Sequence, residues 1–232
     1  MSAPAIVWFR RDLRLDDNDA LIEAADGGRP IVPVYVHDEN DAGGASDWWL
    51  HHSLAALSRA LDIRGTPLIL LRGKPQALLP ALSGIVAAGS LHFTRGYTPA
   101  ARQEQEAVAD AFDNDCIAHD GYYLHRPGTV LIAEDTPYKV FTPFWKACTR
   151  MPEPDRPAAA PATLQTCTKD ELARLRSELP VIRLEDLALL PTTPDWAGGL
   201  REEWQPGEDG AHARLDEFAV HAGRYGSRRD FP

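Results

Sequence analysis

The densest group of chemically capable residues lies near the start of the sequence, in the stretch WFRRDLRLDDN at residues 8–18. Three arginines are interleaved with aspartates directly after a short apolar run. Such a loop could bind an anion or orient a partner domain, and it could equally form an ion-pair network that only fixes its own conformation. Asp17 or Asn18 is also a suitable N-cap for a following helix. The residues alone leave these interpretations open.

The sequence carries none of the common nucleotide or hydrolase signatures. No GxGxxG follows the first apolar run, and GxxxxGK[ST] and GxSxG occur nowhere. Phosphate cradles need glycines where the backbone approaches the ligand, so an ordinary NAD or P-loop enzyme is disfavoured. His51 and His52 are adjacent on a predicted helix, where neighbouring side chains point about 100° apart and cannot share one metal. We interpret them as surface or packing residues and assign no metal site.

Cysteine usage and charge restrict the class of protein further. Cys116, Cys148 and Cys167 are odd in number and lack a CxxC, which argues against a disulfide framework or a zinc site, so we expect reduced structural thiols. Asp and Glu number 34 against 24 Lys and Arg, a net charge of -10 in 232 residues, so the whole surface does not favour non-specific phosphate binding. The opening apolar run is too short for a signal peptide, and no later run could span a membrane. We therefore expect a cytoplasmic protein.

The elements that position these residues alternate along the first half of the chain. Short apolar runs alternate with longer amphipathic ones, a pattern typical of parallel strands joined by crossover helices. The sequence predicts an α/β fold, a Rossmann-like doubly wound parallel sheet of about five strands. The predicted strands are Ala5–Phe9, Ile31–Val36, Leu68–Arg72, Leu91–Phe93 and Cys116–His119. The predicted helices are Asp19–Ala25, Asp47–Arg64, Pro75–Ala88 and Pro99–Phe112.

The second half predicts an extension, a linker and the start of another unit. Residues 120–150 form a looped, aromatic-rich region, and MPEPDRPAAAP at residues 151–161 is typical of a proline-stiffened linker. Helices are predicted at Lys169–Glu178 and from Gly207 to about Tyr225. We divide the chain into an α/β domain at 1–130, an extension and linker at 131–200, and a first helix of a further helical domain at 201–232.

Aromatic residues outside the predicted strands allow two interpretations. We expect most of them to fill the core, while the rest could wall a pocket or dock a second domain. They are Trp48, Trp49, Tyr138, Phe141, Phe144 and Trp145. A basic and aromatic tail closes the sequence, and as an isolated terminus it would be a solvated end. It comprises Arg224, Tyr225, Arg228, Arg229 and Phe231.

Four of these segments together resemble the photolyase/cryptochrome family, specifically the amino-terminal half of a bacterial deoxyribodipyrimidine photolyase. IVWFRRDLRLDDNDAL resembles the opening strand and loop of the family, and WWLHHSLAALSRAL its second helix. PYKVFTPFWKAC resembles the segment that closes the α/β domain, and WQPGEDGAHARLDEFAVHAGRYGSRRDFP the helix and turn that enter the flavin-binding domain. The four motifs occur in family order.

The resemblance implies a light-driven enzyme in which reduced FAD donates an electron to a pyrimidine dimer in DNA. Family members are about twice this length, so we expect the FAD-binding helical domain to follow the chain and the fragment alone to be inactive. Tyr225 matches a family tyrosine near the flavin phosphates, and Arg229 an arginine near flavin and DNA phosphate. The resemblance places no catalytic residue within these 232 residues.

The segment FTRGYTPAAR at residues 93–102 departs from the family. Many antenna-binding relatives resemble WNRDYEP here, where amide and acidic groups can hydrogen-bond an antenna ring. The residues that remove such groups here are Thr94, Gly96, Thr98, Ala100 and Ala101. We therefore expect the antenna chromophore to differ or to be absent, with Trp48 and the loop from His37 to Asp47 as possible pocket walls. A cryptochrome photoreceptor and a stand-alone nucleotide-binding or interaction module are the alternatives.

Overall fold

A parallel sheet forms the centre of the computed structural model, which describes residues 2–38 and 43–229. Five strands lie in the order β3-β2-β1-β4-β5. They are β1 (Ala5–Phe9), β2 (Pro30–His37), β3 (Ile69–Arg72), β4 (Ser90–Thr94) and β5 (Asp115–His119). The sequence prediction of a doubly wound sheet of about five strands is therefore confirmed.

Four helices connect these strands and cover both faces of the sheet. They are α1 (Asp19–Ala25), α2 (Ala45–Ile63), α3 (Pro75–Val86) and α4 (Pro99–Ala111), all at predicted positions. Alternating strand residues pack on opposite faces. Ile6 and Trp8 of β1 belong to the cluster that includes α3 and α4, whereas Val7 and Phe9 belong to the cluster of α1 and α2. The domain is thus a three-layer sandwich.

Local signals explain where two of the helices begin or end. The Asn18 side chain accepts a hydrogen bond from the Leu21 amide at 3.1 Å, so Asn18 rather than Asp17 is the N-cap of α1. Helix α2 ends just before Gly65, whose φ of 98° lies in the region that favours glycine.

The region after β5 contains a small hairpin and a short helix that the sequence pattern did not place firmly. The hairpin comprises β6 (Leu131–Ala133) and β7 (Thr136–Pro137), and helix α5 spans Phe141–Cys148. The expectation that most aromatics here fill the core is wrong, because Phe141 and Trp145 are 72% and 56% exposed. Their rings stack on each other, with centroids 6.4 Å apart, on a helix with no buried residue.

Beyond the proline-rich stretch the chain returns to the sheet. Strand β8 (Gln165–Thr166) pairs in parallel with the start of β2, and helix α6 (Lys169–Glu178) packs against α3. Several side chains here are buried in the clusters on the two faces of the sheet: Leu164, Cys167, Leu175, Leu187 and Leu189. The boundaries at residues 130 and 200 stay predictions, and residues 164–189 share the core of the α/β sandwich.

The last part of the described chain is helical. Helix α7 spans Gly198–Glu203, α8 spans Glu208–His221, and a 3-10 turn leads into α9 at Tyr225–Arg228. All three cysteines are free thiols. Within the described residues, no helix is long and apolar enough to cross a membrane.

Candidate functional site

The strand order reverses direction between β1 and β4, and this places a crevice outside their carboxyl ends. In open α/β sheets, ligands bind at such a switch point. The crevice is bordered by the loop after β1 at residues 10–18 and by the segment after β4 at residues 94–98. These are the two segments that the sequence analysis singled out.

A buried aspartate ties the two segments together. Asp12 is 3% exposed, accepts a hydrogen bond from the Arg10 amide at 2.9 Å, and accepts another from the Thr94 hydroxyl. The Arg10 guanidinium pairs with Glu104 of α4 and lies 4.7 Å from the centre of the Trp8 ring. This half of the arginine-aspartate loop therefore forms a structural network, one of the two alternatives left open by the sequence.

Close packing continues at Gly96. A Cβ built there would lie 2.6 Å from the Ala101 Cβ and 3.0 Å from Gln105 Nε2. The side-chain amide of Gln105 makes two hydrogen bonds to the backbone of Gly96. Its Oε1 accepts from the Gly96 N–H at 3.3 Å, and its Nε2 donates to the Gly96 carbonyl at 3.1 Å. The departure from the family motif thus fits a crevice filled by the chain's own groups. Restoring an acidic residue by Gly96→Asp would force this packing apart rather than rebuild a pocket.

Two tyrosines beside the crevice are held in their protonated form. Burial raises the pKa of Tyr122 to about 12, with the charge of Asp12 adding to the effect. Burial also raises the pKa of Tyr97, as does the hydrogen bond that its hydroxyl donates to Asp120. Both phenols are therefore suited to donating hydrogen bonds rather than to acting as bases or nucleophiles.

The second half of the loop joins three distant parts of the chain. Arg14 donates to the Gly121 carbonyl at 3.1 Å, and Asp16 Oδ1 accepts from the Ala160 amide at 2.8 Å. The Glu208 carboxylate, in the first turn of α8, accepts from the Leu15 and Asp16 amides at 2.8 and 2.7 Å. The loop is therefore the point at which the carboxyl-terminal helix is attached to the sheet.

The predicted cofactor residues lie farther along this carboxyl-terminal segment. Tyr225 is 56% exposed, its ring lies 6.0 Å from that of Phe218, and its carbonyl accepts from the Arg229 amide at 2.9 Å. A phenol and a guanidinium at an exposed helix end fit one side of a phosphate site. Phe231 of the predicted basic and aromatic tail lies outside the described residues.

The described cavities lie elsewhere, at the amino edge of the sheet. One of about 390 Å³ is lined in part by Ser83 and Asn114, and another of about 520 Å³ by Arg29 and Ser90. Neither has Tyr225 or Arg229 in its lining, so neither of these cavities encloses the two predicted cofactor residues.

Helix α2 carries a cluster of three rings, Trp48, His51 and His52, with buried polar nitrogens. It was not identified from the sequence as a polar site. Trp48 is 1% exposed, and the His52 ring lies 4.4 Å from it. Trp48 Nε1, His51 Nδ1 and His52 Nε2 are buried without a hydrogen-bond partner among the described residues. Burial lowers the pKa of both histidines. Trp48 is thus a core residue rather than an open pocket wall, and residues 39–42 of the predicted wall lie outside the described part.

Comparison with known proteins defines the class to which this fold and loop belong. The family model described as DNA photolyase matches residues 5–162. The chain is 40% identical over 237 residues to a deoxyribodipyrimidine photo-lyase of Agrobacterium fabrum, covering 100% of this chain and 48% of that protein. It is 29% identical over 228 residues to cryptochrome-2 of Arabidopsis thaliana, covering 94% of this chain and 36% of that protein. The chain belongs to the DNA photolyase family.

The chain also resembles a solved photolyase structure over its whole length. The class III photolyase from Agrobacterium tumefaciens superposes with a TM-score of 0.89 at 38% identity, covering 100% of this chain and 48% of that one. The chain thus spans about half the length of these photolyases. Photolyases of this family use FAD.

Proposed function

We propose that this chain is the amino-terminal part of a light-driven DNA photolyase that reverses pyrimidine dimers. The observation that carries the proposal is the match over the whole chain to a class III photolyase, at a TM-score of 0.89 and 38% identity. The chain's own residues supply the α/β sandwich and the entry into the next helical unit. When bound and reduced, FAD supplies the electron that splits the dimer. A DNA substrate and free thiols favour a cytoplasmic location.

The partner of this chain within the protein is a carboxyl-terminal FAD-binding helical domain. Two helices present apolar side chains to solvent, with Phe141 and Trp145 on α5 and Leu215 and Phe218 on α8. Surfaces of this kind mark sites of association. Tyr225 then faces the flavin phosphates and Arg229 faces flavin and DNA phosphate, since a planar guanidinium pairs well with phosphate oxygens. Dimer-containing DNA is bound through that same domain.

The proposal also concerns the antenna chromophore and the segment after β4. Thr94, Gly96 and Gln105 already use their polar groups within the switch-point crevice. A pterin or deazaflavin ring placed there would lose hydrogen bonds worth about 1–3 kcal/mol for each buried polar group left unpaired. We therefore propose that any antenna differs from, or sits apart from, one held by this segment.

The test joins this chain to the FAD-binding half of the Agrobacterium relative and measures repair. Oligonucleotides with a cyclobutane dimer or a (6-4) photoproduct are incubated with the reduced protein under blue light and in the dark, and repaired strands are separated by chromatography. Light-dependent repair of one lesion is expected. A matched chimera carrying the Agrobacterium protein's own amino-terminal half shows that the junction is functional.

The alternatives predict different results. A cryptochrome photoreceptor is tested on the full-length parent protein, because the dimer is bound through the flavin-binding domain, and flavin binding with photoreduction but no repair would support it. A stand-alone nucleotide-binding or interaction module predicts that the chimera carrying this chain repairs no DNA, whereas the control chimera does. A glycine-rich phosphate loop would favour that module, and the sequence contains none.

A further inference from the structure

A row of polar side chains is buried between the sheet and helix α1. Ser90 Oγ lies 3.0 Å from His92 Nε2, and His92 Nδ1 lies 3.1 Å from His119 Nε2. His119 Nδ1 in turn lies 3.5 Å from a carboxylate oxygen of Glu23 on α1. His92 is 0% exposed and His119 is 9% exposed, so most of the row is removed from water. Neither histidine belongs to the photolyase site proposed above.

The geometry sets the direction of the hydrogen bonds in this row. The two imidazole rings are within 16° of coplanar with centroids 5.3 Å apart, so they meet edge to edge through their nitrogens. Arg29 donates to Ser90 Oγ at 3.4 Å at one end, and the Glu23 carboxylate lies at the other. Neutral rings with one N–H and one lone pair each satisfy every contact from Arg29 to Glu23.

Protons disturb this arrangement in two stages. A first proton on His119 Nε2 turns that nitrogen into a donor to His92 Nδ1. The row accommodates this proton if His92 moves its own hydrogen to Nε2 and donates it to Ser90 Oγ. A second proton leaves two N–H groups and two positive charges facing each other across the 3.1 Å contact. Burial, the other histidine and Arg29 lower the pKa of His92 to about 4. Burial also lowers the pKa of His119, with Arg95 acting in the same direction and Glu23, Asp19 and Asp120 opposing it.

We propose that the His92–His119 pair is an acid-sensitive lock that holds helix α1 on the sheet. Helix α1 has seven residues and buries only Ala20, Leu21 and Ala24. A helix this short has little stability of its own, so its packing determines whether it stays folded. When both histidines are protonated, the hydrogen bond between them in the buried row is broken and two positive charges lie beneath the helix.

The lock is connected to the attachment point of the carboxyl-terminal helix. Asn18 caps α1 and also donates to the Arg14 carbonyl at 3.0 Å. The same loop presents the Leu15 and Asp16 amides to Glu208. Release of α1 therefore removes the support of this loop, and α8 is expected to loosen with it.

Hydrogen exchange of this chain at about pH 7.5 and about pH 5 tests the lock, after correction for the intrinsic pH dependence of exchange. Protection of α1 and of the first turn of α8 is expected to fall at least about tenfold more than that of α3. His119→Gln, which cannot take up a proton and removes the second positive charge, should reduce this difference, although buried His92 still resists protonation. His221→Gln is the matched control, because His221 is an exposed histidine in the last turn of α8, and it should leave the difference unchanged.

A second variant keeps the test decisive if His119→Gln does not fold. Glu23→Gln removes the carboxylate that opposes the lowering of the His119 pKa, so α1 should lose more protection between about pH 7.5 and about pH 5 than in the unmodified chain. Equal loss of protection in α1 and α3 would mean general acid unfolding and would overturn the proposal. So would stoichiometric Zn²⁺ binding that depends on His119, because Glu23, His92 and His119 would then form a metal site.

Discussion

Single residues at the switch-point crevice are selected by packing as much as by chemistry. Gly96 has no room for a side chain, and the Thr94 hydroxyl is used by the buried Asp12. In this chain, the groups around these positions fill the crevice themselves. Substitutions here should therefore change the free energy of unfolding before they change ligand binding.

Gly96→Ala is expected to destabilise the chain by about 1–3 kcal/mol, because the added methyl group overpacks against Ala101 and Gln105. Urea unfolding followed by circular dichroism measures this change. Gly84→Ala is the control, since Gly84 is a helical glycine in α3 where an added Cβ would meet open space. It should stabilise by about 0.5–1 kcal/mol. Equal effects of the two substitutions would contradict the packing argument.

Glu208 is the residue whose removal should detach α8. Glu208→Gln replaces a carboxylate that accepts two backbone amides with a group that keeps only one acceptor oxygen. The free energy of local opening at Leu15 and Asp16 should fall by about 1–2 kcal/mol, measured by amide exchange. Glu217→Gln on the same helix removes only an exposed pair with Arg214 and should change these amides by less than about 0.5 kcal/mol.

At the level of elements, the sequence predicted the strands and helices that carry a regular pattern of apolar residues. The five core strands and four crossover helices are apolar runs or amphipathic stretches bounded by residues such as Asn18 and Gly65, and each was found at its predicted place. Strand β8 has only two residues, too few for any alternation, and was missed. The exposure of Phe141 and Trp145 was also missed, because apolar residues on a helix do not reveal whether their partner lies within the same chain.

The candidate site was predictable only in part, for a related reason. The position of the arginine-aspartate loop follows from its place after the first strand. Its partners do not, since Glu208 and Ala160 lie more than a hundred residues away in sequence. The buried His92–His119 contact likewise needs the register of β4 and β5, which pairs His92 with Ile117 and places His119 beside Thr94. Register between strands is a tertiary property.

Helix α8 is expected to be the least protected long helix of the chain. Its only buried residue is Gly210, and its apolar side chains, including Leu215 and Phe218, are exposed. Amides of α8 beyond its first turn should therefore exchange much faster than those of β2, whose side chains are almost all buried. The helix could also self-associate through this face, so the measurement needs a proven monomer. Equal protection of α8 and β2 in a monomer would contradict the prediction.

At the scale of the whole molecule, the described residues form a closed sandwich with two open surfaces. Both faces of the sheet are covered, whereas α5 and α8 extend apolar side chains into solvent. The chain spans about half the length of its photolyase relatives. The stable core of the chain and the segment proposed to meet the flavin are therefore different, and folding and cofactor binding should separate in experiment.

The chain by itself is expected to fold without binding FAD tightly and to repair no dimers. Tyr225 and Arg229 lie on an exposed segment, and a cofactor pocket must enclose most of the ligand surface. Gel filtration with excess FAD, followed by absorbance of the protein peak, should show no flavin, and illumination should leave dimer-containing DNA unchanged. The chimera with a flavin-binding half is the positive control, and Arg229→Ala should weaken flavin retention there without altering the unfolding of the isolated chain. A flavin spectrum that stays with the isolated chain, together with light-dependent repair, would show that these residues hold a complete site.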